Sequence, residues 1–153
     1  EHCAAPLFVD PVSTVKAEKL RGLLGHVHTL KPNRIEAELL SGVKIADNAT
    51  LHQAAQALLD QGVQRVFLSL GGDGVFAAQQ GETHLEPICK AEMRNATGAG
   101  DAMMASLVGS FRAGRDLAES CAAGTAAAAI AVESEETINP SMSAEAVLAR
   151  AAK

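Results

Sequence analysis

The chain has 153 residues, of which 48% are hydrophobic and 3% aromatic, and its formal net charge at pH 7 is −5. This apolar content is sufficient for a buried core, which excludes an intrinsically disordered chain. The scarcity of aromatic side chains, the negative charge and the lack of a dense run of Lys and Arg argue against nucleic acid as a partner.

The first 70 residues alternate between predicted strands and predicted helices. Strands are predicted at residues 7–9, 26–30 and 65–70, and helices at residues 14–24, 33–40 and 51–59. Such alternation is typical of a parallel sheet with helices on its faces. The sequence therefore predicts an α/β fold.

The second half of the chain places glycine-rich turns before strands and helices. Strands are predicted at residues 75–78 and 83–88, and helices at residues 102–111, at 116–132 and from about residue 143. Polar segments follow the predicted strands at Asp10 and at residues 31–36, 69–74 and 97–101. Ligands of parallel sheets bind at the carboxyl ends of strands, so we expect these segments at one edge.

The turn at residues 97–101 is the most informative segment for function. Gly98 and Gly100 lack a Cβ atom, so their backbone can adopt positive φ angles and approach a ligand closely. Backbone N–H groups at the start of a helix, together with the helix dipole, bind anions. The neighbouring Asp101 could take a proton from an attacking hydroxyl, which indicates phosphoryl transfer to an alcohol. The alternative is a tight turn followed by an acidic residue that favours helix formation.

Asn33 and Glu36 lie one helical turn apart just after the second predicted strand. Their spacing fits a capping box, in which each side chain accepts the other's backbone N–H. It equally fits a pair that faces a nucleotide phosphate, with Mg²⁺ and its water molecules between. Lys31 could add positive charge, although a lysine at a strand end is usually solvated.

Two further segments each allow a structural and a functional interpretation. The glycines of residues 69–74 either form a loop turn or leave room for a phosphorylated ligand. The small side chains of residues 125–129 either allow close helix packing or leave a slot for adenine. The sequence alone does not separate these alternatives.

The cysteines and the apolar stretches indicate the cellular compartment of the protein. Cys3, Cys89 and Cys121 are odd in number and far apart, which predicts free thiols in a reducing cytoplasm. The most apolar stretch, residues 122–132, is too short to span a bilayer, so no membrane partner is expected.

Four motifs in this order resemble the ribokinase/PfkB family of sugar and nucleoside kinases. They are Asp10-Pro11, Lys31-Pro32-Asn33-x-x-Glu36, Ser69-Leu70-Gly71-Gly72-Asp73-Gly74 and Ala96-Thr97-Gly98-Ala99-Gly100-Asp101. The Thr-Gly-Ala-Gly-Asp element is similar to the C-terminal signature of that family. Within the family, residues 9–19 and 28–33 look most like bacterial pseudouridine kinases.

The resemblance spans nearly the whole chain but only the C-terminal half of the family's pattern. It implies a three-layer α/β sandwich with a parallel sheet, which is incomplete here because the N-terminal half and its β-lid are absent. Residues 1–153 would then be the ATP-binding and catalytic-base portion, inactive when alone. The missing strands would leave an open sheet edge, so a homo-oligomer is expected.

The resemblance also implies a reaction, which is ATP- and Mg²⁺-dependent phosphorylation of a primary hydroxyl on a small sugar or nucleoside. Pseudouridine, converted to its 5′-phosphate, is the first expectation for the acceptor. The alternatives are a sugar kinase of the ribokinase or fructokinase type, or a non-catalytic nucleotide-binding module that lacks the substrate-binding half.

Individual roles follow from the same resemblance. Asp101 would be the catalytic base, and Gly98, Ala99 and Gly100 would form the anion hole for the γ-phosphoryl group. The implied nucleotide-binding residues are Asn33, Glu36, Ser69, Gly71, Gly74, Thr97 and Thr125, of which Asn33 and Glu36 would serve Mg²⁺ through water. Family members often have Asp where this chain has Asn95, and that Asp helps to order a monovalent cation. The lost charge argues against activation by K⁺.

Overall fold

The computed structural model describes residues 4–136 and 138–153, so Cys3 lies outside the described residues. The chain forms two compact units. The first contains the residues up to Leu70 together with Phe76–Thr83, and the second contains Gly71–Val75 and His84–Lys153.

The strands are β1 (Leu7–Val9), β2 (Val27–Leu30), β3 (Arg65–Ser69), β4 (Val75–Gln79) and β5 (Glu82–Glu86). The helices are α1 (Thr14–Glu18), α2 (Arg34–Ser41), α3 (Asn48–Asp60), α4 (Ala99–Arg112), α5 (Leu117–Val132) and α6 (Ala144–Ala151).

Among the described residues the sheet has five strands in the order β1-β2-β3-β4-β5. β1 pairs in parallel with β2, and β2 pairs in parallel with β3. Helices connect these strands, as parallel pairing requires. The connections at residues 70–74 and 80–81 are too short for a parallel crossover, so β4 and β5 make the sheet mixed.

The first helix is much shorter than predicted. Ser13 begins it, because its side chain accepts the N–H of Lys16, but the helix ends at Glu18 rather than near residue 24. Gly22 has a φ of +79°, which no residue inside an α-helix adopts. The chain turns there and continues as a short 3₁₀ helix at Leu24–His26, so the prediction of one continuous helix was wrong.

The other predicted elements are confirmed, with their ends displaced by a few residues. The starts of α2, α3, α5 and α6 are set by side chains that accept first-turn N–H groups, which is why a local sequence signal could find these helices. These N-cap residues are Asn33, Asp47, Asp116 and Ser143. Gly42, with a φ of +74°, ends α2.

Each unit has its own apolar core. In the first unit, Leu30, Leu58, Val66 and Leu68 are fully buried within one cluster. Burying a side chain of this size stabilises the fold by about 1.5–3 kcal/mol relative to leaving it exposed. In the second unit, the buried alanines of α5 pack with Ile130 and with Val147 of α6. In the part of the chain that the structure describes, no helix combines the length and the apolar character that crossing a membrane would require.

Candidate functional site

The structure places the predicted site residues in two groups, one in each unit. The first unit contains Asn33, Glu36 and Ser69. The second contains Gly71, Gly74, Thr97, Gly98, Ala99, Gly100, Asp101 and Thr125. Most of these residues follow a strand, end one or begin a helix, whereas Thr125 lies in the interior of α5.

In the first unit, Asn33, just beyond the carboxyl end of β2, lies beside Ser69, the last residue of β3. They form an isolated parallel bridge, and the backbone N–H of Ser69 donates to the carbonyl of Pro32 at 2.9 Å. The register of the parallel strands thus extends past Leu30 and brings these two predicted residues together. Within this unit, the expectation that strand ends converge is met.

Asn33 and Glu36 form a complete capping box at the start of α2. Asn33 Oδ1 accepts the N–H of Glu36 at 3.0 Å, and Glu36 Oε2 accepts the N–H of Asn33 at 2.9 Å. Glu36 is only 2% exposed. The capping interpretation is therefore confirmed, and it accounts for the carboxylate's burial because buried polar groups need partners.

The same pair suits Mg²⁺ only as an outer partner. Amide and carboxylate oxygens are the donors that Mg²⁺ accepts, and each has lone pairs beyond the one used in capping. Within residues 4–136 and 138–153, no group of three or more His, Cys, Asp or Glu side chains could enclose a metal ion. Any Mg²⁺ here would take most of its ligands from phosphates and water.

Lys31 is not solvated, and that expectation from the sequence was wrong. Its Nζ lies 2.6 Å from Oδ2 of Asp10, and the two side chains are 8% and 24% exposed. The ion pair joins the residues that follow β1 and β2. Asp10 also accepts the N–H of Val12, a residue with a φ of +65°. A β-branched residue at positive φ is strained, and such strain is concentrated at functional sites.

In the second unit, Gly98 is the N-cap of α4 with a φ of +88°. The N–H of Ala102 donates to the Gly98 carbonyl at 2.9 Å, which makes it the first intrahelical bond. The N–H groups of Ala99, Gly100 and Asp101 precede it and therefore have no acceptor in the helix. Gly100 lies inside the first turn rather than in a left-handed conformation. This is the geometry of an anion-binding helix N-terminus.

Asp101 stands in the first turn of α4 and is exposed. The N-cap residue is Gly98, and no side chain, that of Asp101 included, accepts an N–H group of the first turn. In the described ranges no side-chain hydrogen bond or ion pair engages its carboxylate. The carboxylate is thus accessible to solvent at the helix end where an anion would bind.

The turn before α4 is tied to the chain after α5 through Asn95. The N–H of Thr97 donates to Asn95 Oδ1 at 2.9 Å, and Asn95 Nδ2 donates to the carbonyl of Glu135 at 3.2 Å. The backbone N–H of Asn95 donates to the carbonyl of Val132 at 3.2 Å. The sequence marked Asn95 only as a departure from the family's Asp and did not predict this tether.

Of the three glycines in the 71–74 turn, Gly71 and Gly74 have different surroundings. Gly74 has a φ of +95°, and a Cβ atom built on it would lie 2.0 Å from the carbonyl oxygen of Glu86. Gly71 has a φ of +62°, but a Cβ atom at that position would meet nothing within 4 Å beyond its chain neighbours among the described residues. Close backbone approach thus explains Gly74, whereas only the turn conformation constrains Gly71.

Thr125 lies on α5 and is buried, and its hydroxyl donates to the carbonyl of Ala122 at 3.0 Å. At the preceding Gly124, a Cβ atom would lie 3.2 Å from Cγ of Met103 on α4. The small residues of α5 therefore serve close packing against α4. A slot for adenine at Thr125 stays a prediction.

A cavity of about 640 Å³ in the second unit was not anticipated from the sequence. Its lining includes side chains of both positive and negative charge, among them Arg94, Glu133 and Arg150. Arg150 pairs with Glu133, and hydrogen bonds with Cys89 and then with Glu133 raise the pKa of its guanidinium. The ion pair of Arg150 with Glu133 thus lies in the wall of this cavity.

Comparison with known proteins identifies what this arrangement is similar to. Residues 1–144 match the family model described as pfkB family carbohydrate kinase. The chain is 42% identical over 139 residues to the pseudouridine kinase of Escherichia coli (strain K12), which corresponds to 90% of this chain and 44% of that protein.

Solved structures agree with this similarity. A candidate sugar kinase from Clostridium perfringens superposes with a TM-score of 0.91 at 33% identity, over 96% of this chain and 46% of that one. Arabidopsis thaliana ribokinase complexed with ribose and ATP superposes with a TM-score of 0.75 at 29% identity, over 84% of this chain and 42% of that one. The predicted ribokinase-like α/β fold is confirmed, and the chain spans less than half the length of these three proteins.

Proposed function

Because the chain belongs to the pfkB family of carbohydrate kinases, we propose that the intact protein transfers the γ-phosphoryl group of ATP to a primary hydroxyl of a ribosyl compound. The observation that carries this proposal is the exposed Asp101 in the first turn of α4, beside N–H groups that the helix leaves without acceptors. The proposed acceptor is pseudouridine, with pseudouridine 5′-phosphate as product. The 42% identity to a pseudouridine kinase supports this choice.

In the proposed reaction, Asp101 takes the proton of the acceptor hydroxyl as its oxygen attacks the γ-phosphorus atom. A new O–P bond forms while the bond between the γ-phosphorus and the β–γ bridging oxygen breaks. The electrons of the broken bond stay on the bridging oxygen, which leaves as part of ADP. The N–H groups of Ala99 and Gly100 donate to oxygens of the transferring group, where negative charge must be stabilised.

The remaining predicted residues are proposed to serve the nucleotide. Asn33 and Glu36 would hold Mg²⁺ through water, and the ion, when bound, neutralises charge on the phosphates. Ser69 lies beside Asn33 through the bridge between them. The other proposed nucleotide-binding residues are Gly71, Gly74, Thr97 and Thr125. We further propose that residues 1–153 form the ATP-binding and catalytic-base portion of a longer kinase.

The compartment is proposed from the cysteines, and the assembly from the edge of the sheet. Among the described residues, Cys89 and Cys121 form no disulfide, which supports a reducing cytoplasm. β1 lies at one end of the strand order, and its Leu7 is 40% exposed. Because an unpaired strand edge can pair with another chain, this supports a homo-oligomer.

The proposed function is tested by measuring ADP release by the intact protein with pseudouridine, uridine, ribose and fructose as acceptors. We expect the highest kcat/KM with pseudouridine. Turnover with ribose or fructose alone would retain the kinase chemistry and overturn the acceptor. ATP binding without turnover on any of the four would instead favour a nucleotide-binding module.

The two interpretations of Asn33 make different predictions for its replacement by Ala. Loss of the cap should lower the free energy of unfolding by about 1 kcal/mol. If Asn33 also serves the nucleotide, ATP·Mg²⁺ affinity should fall roughly tenfold, the effect of losing about 1.4 kcal/mol. Chemical denaturation and calorimetric titration of the intact protein measure the two effects.

Asp47 offers a matched control because it forms the same capping box at the start of α3. Asp47→Ala should lower stability by a similar amount, about 1 kcal/mol, and leave ATP affinity unchanged. Equal ATP affinity in the two variants would assign Asn33 to capping alone.

A further inference from the structure

Asn95 uses both ends of its side-chain amide, and their orientation is fixed by its partners. The N–H of Thr97 can only donate, so Oδ1 must face it. The carbonyl of Glu135 can only accept, so Nδ2 must face that atom. The residue Asn95 is half-buried.

This arrangement does not fit a monovalent cation at the position that the family resemblance implies. Such an ion requires oxygen ligands that face it, and a carboxylate would add charge to them. Here an N–H group of Asn95, and not an oxygen, faces the Glu135 carbonyl, while Oδ1 of Asn95 is directed toward the N–H of Thr97. The neutral amide supplies no charge.

We infer that Asn95 replaces such a cation by hydrogen bonding, so that phosphoryl transfer by the intact protein does not depend on K⁺. The inference rests on the proposed kinase function. Asn95 acts as a positioning residue: it joins the chain after α5 to the turn whose last residue, Gly98, begins α4. The N–H groups proposed to bind phosphate are held through this turn.

The test compares kcat of the intact wild-type protein in KCl, NaCl and tetramethylammonium chloride at one ionic strength. Between these salts, the wild-type kcat should change less than about twofold, well below the tenfold change that corresponds to 1.4 kcal/mol. In Asn95→Asp a carboxylate would face the Glu135 carbonyl, and their repulsion needs a cation. This variant should be roughly tenfold or more slower without K⁺, and KCl should restore its rate.

Asn139 provides a control with the same local arrangement. Its Oδ1 accepts the N–H of Ser141 at 2.8 Å, and its Nδ2 donates to the carbonyl of Ile130 at 2.6 Å. It does not lie in the turn that leads into α4. Asn139→Asp should therefore lower the Tm without making kcat dependent on K⁺.

Thermal unfolding in the same salts provides a measurement that does not need turnover. KCl should raise the Tm of Asn95→Asp relative to tetramethylammonium chloride and leave the wild-type Tm unchanged. Strong K⁺ activation or K⁺ stabilisation of the wild type would overturn the inference. So would a folded Asn95→Asp variant that responds to no cation. A wild type without turnover in any salt would overturn the proposed function instead, and the Tm comparison would still decide the role of Asn95.

Discussion

Asp101→Asn is expected to lower kcat of the intact protein by about 10²–10⁴-fold, which is the usual contribution of a general base. The amide has nearly the shape of the carboxylate but cannot take a proton from the acceptor hydroxyl. Because Asp101 is exposed and is not the N-cap of α4, its replacement should leave the fold intact. Steady-state ADP release with saturating ATP and acceptor measures the effect.

The ATP affinity of Asp101→Asn distinguishes the loss of a catalytic base from damage to the ATP-binding site. Removing a negative charge beside the phosphates should leave the Kd for ATP unchanged or lower it, since like charges repel. A kcat close to that of the wild type, with normal ATP binding, would show that another group takes the proton. A large loss of both ATP affinity and kcat would point to a structural role for Asp101.

Asp116 is a matched control because it stands at the N-terminus of α5, where its Oδ1 accepts the N–H of Glu119 at 2.8 Å. Asn is as good an N-cap as Asp, so Asp116→Asn should change stability little. It removes the same charge from a helix start of the same unit. Its kcat should match that of the wild type, which would assign the effect at residue 101 to proton transfer rather than to charge.

The parts of the structure that could be predicted are those encoded by neighbouring residues. The caps at Asn33 and Asp116 act over three residues, so the sequence window contains both partners. The turn at Gly98 and the helix after it were predicted from the glycines and from the apolar residues that directly follow them. The ends of strands follow from short apolar runs that stop at polar residues, which located Ser69.

Contacts between distant parts of the chain could not be predicted. Lys31 pairs with Asp10 because β1 and β2 are adjacent in the sheet, a fact that no local pattern contains. The tether from Asn95 to Glu135 depends on where α5 ends relative to the turn before α4. The contact between Gly124 and Met103 likewise depends on the packing of α4 with α5. Sequence alone therefore left the small residues of α5 open between packing and ligand binding.

Gly74→Ala is expected to destabilise the protein by about 4 kcal/mol or more, in the range reserved for severe core defects. The new Cβ atom would lie 2.0 Å from the carbonyl oxygen of Glu86, and backbone at both positions would have to move. The φ of +95° adds strain, because side chains with a Cβ atom rarely adopt it. Equilibrium unfolding in urea measures the change against a total stability of about 5–15 kcal/mol, the range typical of natural proteins.

Gly71→Ala is the matched control in the same turn. Gly71 also has a positive φ, +62°, but its side-chain position is open, so only the conformational cost of about 1 kcal/mol applies. The pair also tests the proposed nucleotide site. If the turn lies against ATP, Gly71→Ala should weaken ATP binding by far more than its small loss of stability would explain. Normal ATP affinity in Gly71→Ala would mean that these glycines serve the turn and the contact with Glu86 alone.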